Sequence, residues 1–497
     1  MKIDDNKVKE LASKILKLCV HVEEDAYALL DKKFNYYAFD KYPMKLFDKK
    51  QIDYFNNGLK ENLPDGISFF RAGLNKYTDG DFPKDKVNYY PIFDSYNKEK
   101  SITVDGYGEY KELVEWIKAN EDISKVITGE KSYITVDSEI RHLVISIVER
   151  FLFITGESCK DSIEESIKPY IEEALRYYLS DKLFVKLSIP VCLTTFEEDE
   201  IKFADGIQIV RMNEEFQMAR QHSCKYEVVS EDWIAACATH MIILDNYCYE
   251  SNTDFSFDQI SKDYNSYPLQ KIDEIIGIIR IVTGYTIGYE QLLMQPDGWI
   301  HGFCADLPAV YGAKSHFVNS KELSTFWMYL PVSTITKEQS DRICDLYKKF
   351  NACDGKLDFA LRRYNRCVLR EEIDDQVTDA CIGLESLLSG DAKTEITYTI
   401  SNRIPVIFAG NNDSSSVNSR KILKKIYSLR SKIVHGSKIA DKDKYCTIDD
   451  VRYYLPKLAI KYLRQTIIFM LDHPKFLKSE EFDSYIDTVV AENKITE

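Results

Sequence analysis

The sequence predicts an α+β N-terminal region followed by an all-α helical bundle. From Leu183 to Val210, short apolar runs are separated by turn residues, with Pro190 and the Asp205-Gly206 pair as punctuation. Strand-like and helix-like stretches then mix without a βαβ rhythm, which argues for α+β over a parallel sheet. From about Ile335 onward the apolar spacing is almost wholly helical, with short links.

At 497 residues the chain is too long for one core, and roughly two to four domains are expected. An apolar share of 44% with 12% aromatics supplies packed interiors and excludes global disorder. Pattern divides the chain into a mixed, tyrosine-rich region (1–135), an α+β domain (136–335), the bundle (336–475) and a tail (476–497). The N-terminus begins with charged residues, and the longest apolar runs fall short of the ~20 residues a membrane span needs. A cytoplasmic protein with no membrane partner is the expectation. Twelve cysteines without a Cys-x-x-Cys pair read as reduced, mostly buried thiols. One cluster, His222-x-Cys224, Cys237-x-x-His240 and Cys248, has zinc-ligand types but matches no standard knuckle. These are read as core residues, and no metal or cofactor is expected.

A helical period covers Val8 to Leu30. A second helix covers Ser138 to Phe151, with apolar residues at Ile140, Leu143, Val144, Ile147 and Val148 and with Ser138 as its N-cap. Asp105-Gly-Tyr-Gly108 lacks the third glycine, the lysine and the strand-to-helix setting of a phosphate loop. Strands are expected at Leu183–Phe196, edged by Pro190, then at Ile201–Phe203, Ile207–Arg211, Ala238–Leu244 and Trp299–Cys304. Between the last two, Leu269, Ile272, Ile275, Ile276, Ile279 and Val282 make a helix ended by Gly284.

The bundle opens with helices at Lys337–Phe350 and Leu357–Leu369. A third carries Ile373, Val377, Ala380, Cys381, Leu384, Leu387 and Leu388 on one face. A fourth, Glu395–Phe408, is interrupted by Pro405. After a polar loop comes a basic helix, Lys421 to His435, stopped by Gly436. The last helix opens at Thr447-Ile-Asp-Asp450, a capping-box pattern, kinks at Pro456 and runs to about Leu471.

The formal net charge is −15, which argues against coating nucleic acid through bulk electrostatics. The distribution is uneven. From Lys337 to Lys475 there are 25 Lys and Arg against 19 Asp and Glu, a balance of +6 that leaves −21 for the remainder. Arg420 to Lys438 holds seven cations (Arg420, Lys421, Lys424, Lys425, Arg430, Lys432 and Lys438) and no carboxylate. Any polyanion is expected to bind here; a solvated helix face is the plain alternative.

Arg430 follows Ile426 by four residues and precedes Ile433 by three, so it sits at the edge of the helix's apolar face. His435 lies about 7.5 Å further along the axis and roughly 140° around it. The two side chains therefore do not stack, but they can flank a shared cleft. The helix C-terminus favours a cationic imidazole. Glu385 falls on the apolar face of the third bundle helix, and a carboxylate there needs a cationic partner, for which Arg403 and Arg430 are the nearest candidates. A structural ion pair and a catalytic role both accommodate it. Arg plus His without a metal cluster suits RNA cleavage through the ribose 2′-hydroxyl: the imidazole transfers a proton, and the guanidinium fork holds the phosphate.

Three ordered pieces resemble one family. They are Asp379-Ala-Cys-Ile-Gly-Leu-Glu-Ser-Leu-Leu388, Glu395-Ile-Thr-Tyr-Thr-Ile-Ser-Asn-Arg403 and Ile426-Tyr-Ser-Leu-Arg-Ser-Lys-Ile-Val-His-Gly436. The span 374–436 is similar to the Apea-like branch of the HEPN superfamily. The preceding Leu357-Asp-Phe-Ala-Leu-Arg-Arg-Tyr364 resembles that branch's entry helix. The resemblance implies a HEPN-like bundle, a homodimer formed through it, and metal-independent endoribonuclease activity, often in antiviral, abortive-infection or toxin systems. It implies Arg430 and His435 as the catalytic pair, with Ser431, Glu385 and Arg403 supporting the site. Ser431 fills the polar position after the arginine where many members carry Asn, Asp or His. Arg420, Lys421, Lys424, Lys425, Lys432 and Lys438 would then face RNA. The acidic N-terminal region would receive a protein or small-molecule trigger. A different class stays open: a non-catalytic module that dimerises or binds RNA or nucleotide, with recognition in the N-terminal region. An active site in the α+β segment has no motif to support it.

Overall fold

A computed structural model describes residues 3–30, 90–93, 101–129, 134–155, 162–213, 216, 219–220, 238–250, 257–302, 309–314, 333–353, 355–390, 396–409 and 414–491. The chain divides into two compact units. The first comprises 1–195, 206–267 and 289–332, and the second 196–205, 268–288 and 333–497. The first is an α/β unit with an antiparallel sheet, and the second is mostly helical.

In the first unit the helices are α1 (Asp5–Leu30), α2 (Gly108–Ala119), α3 (Glu121–Thr128), α4 (Val136–Thr155), α5 (Ile163–Leu179) and α6 (Phe257–Lys262). Leu11, Ile15, Leu18 and Val22 recur at helical spacing along α1 and are fully buried. They share one core with Leu113 and Ile117 of α2, Ile140, Val144 and Phe151 of α4, and Ile167 and Ile171 of α5. That continuous core crosses the 135/136 division drawn from the sequence. Thr135, not Ser138, caps α4. The Ser138 N–H donates to Thr135 Oγ1 and the Thr135 N–H donates to Ser138 Oγ, each at 3.1 Å. Ser138 is thus the third-position partner in the box.

Glu23 of α1 is only 4% exposed, and its Oε2 has no hydrogen-bond partner among the described residues. Burial, reinforced by the neighbouring Glu24, pushes its carboxyl up to about 7. The folded-state value lies above the unfolded one. The stability this proton supplies is therefore fully present below the ordinary carboxylate value and is lost as pH rises through about 7. Glu23→Gln is expected to stabilise the protein by about 2 kcal/mol at pH 8 and to be near neutral at pH 4.5. Thermal melts at the two pH values check this, and an equal effect at both would contradict it.

The strands are β1 (Lys182–Pro190), β2 (Thr194–Phe196), β3 (Glu200–Ala204), β4 (Ile207–Arg211), β5 (His240–Glu250), β6 (Gln291–Pro296), β7 (Tyr311–Lys314), β8 (Ser333–Ile335), β9 (Tyr445–Ile448) and β10 (Val451–Tyr454). The first unit's sheet runs β4-β5-β1-β6-β7, antiparallel throughout. Leu183, Val185 and Leu187 point inward between exposed Lys182, Phe184 and Lys186, and from Leu187 both faces of β1 are buried. Pro190 ends the strand, where its missing N–H costs least.

One strand was misplaced by the sequence. Trp299 to Gly302 forms no strand, and 303–304 lie outside the described residues. Trp299 is buried with its indole N–H satisfied by the Phe184 carbonyl at 2.6 Å. The strand is β6, whose Leu292, Leu293 and Met294 are buried on both faces and so show no alternation.

The second unit contains α7 (Leu269–Thr283), α8 (Lys337–Asn351), α9 (Gly355–Leu369), α10 (Ile373–Leu388), α11 (Ile396–Ile407), α12 (Ser414–Val417), α13 (Ser419–Val434), α14 (Leu455–Asp472) and α15 (Ser479–Ala491). The sequence places α7 in the α+β domain, but it packs against α8, α9 and α14. Gly284 ends it in the left-handed region at φ 73°. Arg464 satisfies its last carbonyls, donating to Ile281 O at 2.6 Å and Val282 O at 2.7 Å. An apolar stripe does not say which neighbour will cover it.

α10 is central, with Val377, Ala380, Cys381, Leu384 and Leu388 fully buried. Gly383 permits the close approach of α14, since a Cβ there would lie 2.7 Å from the buried Leu463 side chain. Gly383→Val is expected to destabilise the second unit by about 1–3 kcal/mol. Urea denaturation reads this, and an unchanged midpoint would contradict the packing.

Three further expectations are corrected. Thr447 to Asp450 does not open a helix: Thr447 lies in β9, and Asp449 and Asp450 form a two-residue hairpin turn with φ of 49° and 61°. Aspartate tolerates the left-handed region, and the flanking β-branched and aromatic residues favour strands. Pro456 produces no kink because it lies in the first turn of α14, where no intrahelical N–H is needed. Pro405 does not interrupt α11 but sits in its last turn, so the helix runs through it. In the segment read as a tail, α15 buries Phe482 and Val489.

Candidate functional site

α13 carries the site, and its two faces carry different chemistry. Ile422, Leu423, Ile426 and Leu429 are buried at helical spacing. Lys421, Lys424, Lys425, Ser428, Ser431, Lys432 and, just past its end, His435 are exposed and fall within a stripe about 120° wide. Arg430 is on the first face. Its side chain is 31% exposed, and its Nη1 lies 3.5 Å from Glu385 Oε1 on α10. The Arg430 Nε is buried without a hydrogen-bond partner among the described residues, so the guanidinium is only partly satisfied there.

Cys381 and Tyr427 complete this contact region between α10 and α13. Burial pushes the Cys381 thiol up to about 12, against the opposing pull of Arg430. It is therefore an inert, protonated thiol and not a nucleophile. Burial, reinforced by Cys381 and Glu385, holds the Tyr427 phenol far above its ordinary range. Neither residue stands out in sequence, where Cys381 reads as part of the apolar face of its helix.

The end of α13 is closed by its backbone. The Gly436 N–H donates to Ile433 O and the Ser437 N–H to Lys432 O, each at 2.9 Å, with Gly436 at φ 66°. This is the Schellman arrangement, and it requires a residue that tolerates positive φ. It leaves His435 as the C-cap, exposed, with no side-chain hydrogen bond or ion pair among the described residues. The structure brings Arg430 and Glu385 together. It does not bring His435 to Arg430 within the chain, as the 140° offset implies.

The remaining expected residues divide. Arg403, only 4% exposed, donates to Leu388 O at 3.0 Å, to Ser479 Oγ at 2.5 Å and to Asp483 Oδ1 at 2.6 Å. Its contacts anchor α15, not Glu385. Lys432 pairs with Asp443 at 2.8 Å, and that pairing holds the Asp443 carboxyl below its usual range. Among the described residues Lys421, Lys424, Lys425 and Lys438 have no carboxylate partner, while the Arg420 Nε is buried without one. Of the zinc-type cluster, His222, Cys224 and Cys237 lie outside the described residues. His240 is fully buried with its Nδ1 2.7 Å from Thr239 Oγ1, and Cys248 is exposed further along β5. Among the described residues no group of three or more His, Cys, Asp or Glu could hold a metal, and no helix is long and apolar enough to cross a membrane.

No family model, curated protein or solved structure matches the chain.

Proposed function

We propose that the chain is a metal-independent endoribonuclease of the Apea-like HEPN type, an effector in antiviral or abortive-infection-like defence. The observation that carries this reading is the state of Arg430. Glu385 aims its guanidinium, yet the Nε donor lacks a partner among the described residues, and a phosphate oxygen is the acceptor such a fork accommodates. His435 stands at the end of a stripe whose lysines, apart from Lys432, keep their charge uncompensated. That arrangement supports guidance of a polyanion toward an imidazole.

The chemistry follows from the residue types. His435 takes the proton of a ribose 2′-hydroxyl or donates one to the departing 5′-oxygen. The 2′-oxygen forms a bond to phosphorus as the bond to the 5′-oxygen breaks, leaving a 2′,3′-cyclic phosphate and a 5′-hydroxyl. Arg430 balances charge on the non-bridging oxygens. Because His435 and Arg430 face different directions around α13, the reading needs a homodimer in which each cleft combines groups from two copies. Val434, 58% exposed between the two residues, supplies apolar surface for such a contact. A protein or small-molecule trigger acting on the first unit would release the activity.

One observation favours a second reading, a non-catalytic RNA- or nucleotide-binding module: among the described residues no group orients the His435 imidazole. Incubating the full-length protein with total RNA in EDTA separates the two. Degradation that survives chelation is expected, and degradation that requires added divalent ion would contradict the ribonuclease reading.

A further inference from the structure

The β9–β10 hairpin carries an arginine and two tyrosines together on one of its faces. Register pairs Tyr445 with Tyr454, Cys446 with Tyr453, Thr447 with Arg452 and Ile448 with Val451. Alternation therefore puts Cys446, Ile448, Val451 and Tyr453 on one face and Tyr445, Thr447, Arg452 and Tyr454 on the other. On the first face Tyr453 is buried and its hydroxyl accepts from Asn418 Nδ2, just before α13, at 3.5 Å, Cys446 and Ile448 are half-buried, and Val451 is exposed. The second face is open. Thr447 and Arg452 are exposed, and Tyr445 and Tyr454 are half-buried.

On that open face the side chains are already stacked. The Arg452 guanidinium carbon lies 3.8 Å from the Tyr445 ring centroid, and the Tyr445 and Tyr454 rings are 5.1 Å apart. Arg452 has no carboxylate partner among the described residues, although Asp449 and Asp450 stand at the tip of its own hairpin. The guanidinium is spread over an aromatic ring with its other face toward water. The nearby carboxylates limit where phosphate can run. Asp443 is neutralised by Lys432 and Asp441 lies 3.6 Å from Lys444, but Asp449 and Asp450 leave the tip acidic. A polyanion therefore reaches the open face from the end of the hairpin away from its tip, beside the pair that Asp443 makes with Lys432 of α13.

We propose that the open face of this hairpin is a stacking platform for an unpaired base of single-stranded RNA, on which the base extends the Tyr445–Arg452 stack while the backbone follows the lysine stripe toward His435. The inference rests on the RNA reading above and deepens it to a preference for unpaired substrate. Planar cations and aromatic rings stack on any exposed base, whereas the bases of a duplex are already stacked on one another.

The test uses the full-length protein carrying His435→Ala, so that the probe stays intact, and reads fluorescence anisotropy. The probes are a labelled oligouridine of about 15 nucleotides, within the site sizes of single-strand binders, and a duplex RNA of matched length. Arg452→Ala and Tyr445→Leu are each expected to weaken oligouridine binding about 10-fold while leaving duplex binding unchanged. Tyr445→Phe is expected to bind as the parent does. Arg452→Lys is expected to bind as weakly as Arg452→Ala, because a point charge does not stack. Since Arg452 is exposed, its two variants decide the matter if Tyr445→Leu misfolds. Parental affinity for oligouridine in Arg452→Ala, or full rescue by Arg452→Lys, would overturn the platform and leave the ribonuclease reading standing. A parent protein that binds neither RNA would overturn both.

Discussion

Replacing His435 by alanine is expected to lower RNA cleavage by about 10²–10⁴-fold, the range for loss of a general acid or base. The stability of the protein should hardly change, because the side chain is exposed and has no hydrogen-bond partner among the described residues. That combination discriminates. A histidine acting only as a helix terminator would show little effect on either, since the Schellman closure depends on Gly436 and backbone carbonyls. RNA affinity should fall only slightly, as the lysines of the α13 stripe remain. Single-turnover cleavage alongside a thermal melt measures both quantities, and cleavage within a few-fold of the parent would remove His435 from the chemistry.

Replacing Arg430 by alanine is expected to cost about 10²–10³-fold in cleavage, the effect of removing one preorganised group that stabilises transition-state charge. Unlike His435, this change also touches the fold, because Glu385 is only 21% exposed and loses its cation. A modest drop in melting temperature should accompany the loss. Arg430→Lys separates the two effects: it restores the charge beside Glu385, and hence most of the stability, without the planar fork that spans two phosphate oxygens. Stability should recover with little recovery of rate. If rate and stability recover together, Arg430 is a structural partner of Glu385 and no more.

Much of the second unit can be read from its residues because single apolar stripes define its helices. The period through Val377, Cys381, Leu384 and Leu388 marks α10, and the carboxylate of Glu385 on that face demands a cation, which Arg430 supplies. The separation of Arg430 from His435 is likewise simple helix arithmetic. What stays illegible depends on partners distant in sequence. Arg403 finds Asp483, 80 residues away, on a helix in the segment read as a tail. β6 is hidden because both its faces are buried. The β9–β10 hairpin is disguised by two aspartates that mimic a helix cap but turn the chain through positive φ. With the hairpin went the Arg452–Tyr445 stack, since no helical period can place those two side chains together.

Transfer at phosphorus through the ribose 2′-oxygen at Arg430 and His435 is tested with a substrate changed at one atom. Once a preferred cleavage position in an oligoribonucleotide is known, the same oligonucleotide is made with 2′-deoxyribose at the nucleotide whose hydroxyl would attack. Both are incubated with full-length protein in EDTA. Cleavage of the all-ribose strand, leaving a cyclic phosphate and a 5′-hydroxyl, is expected, with the modified linkage intact. Equal cutting of the deoxy-substituted linkage would contradict it.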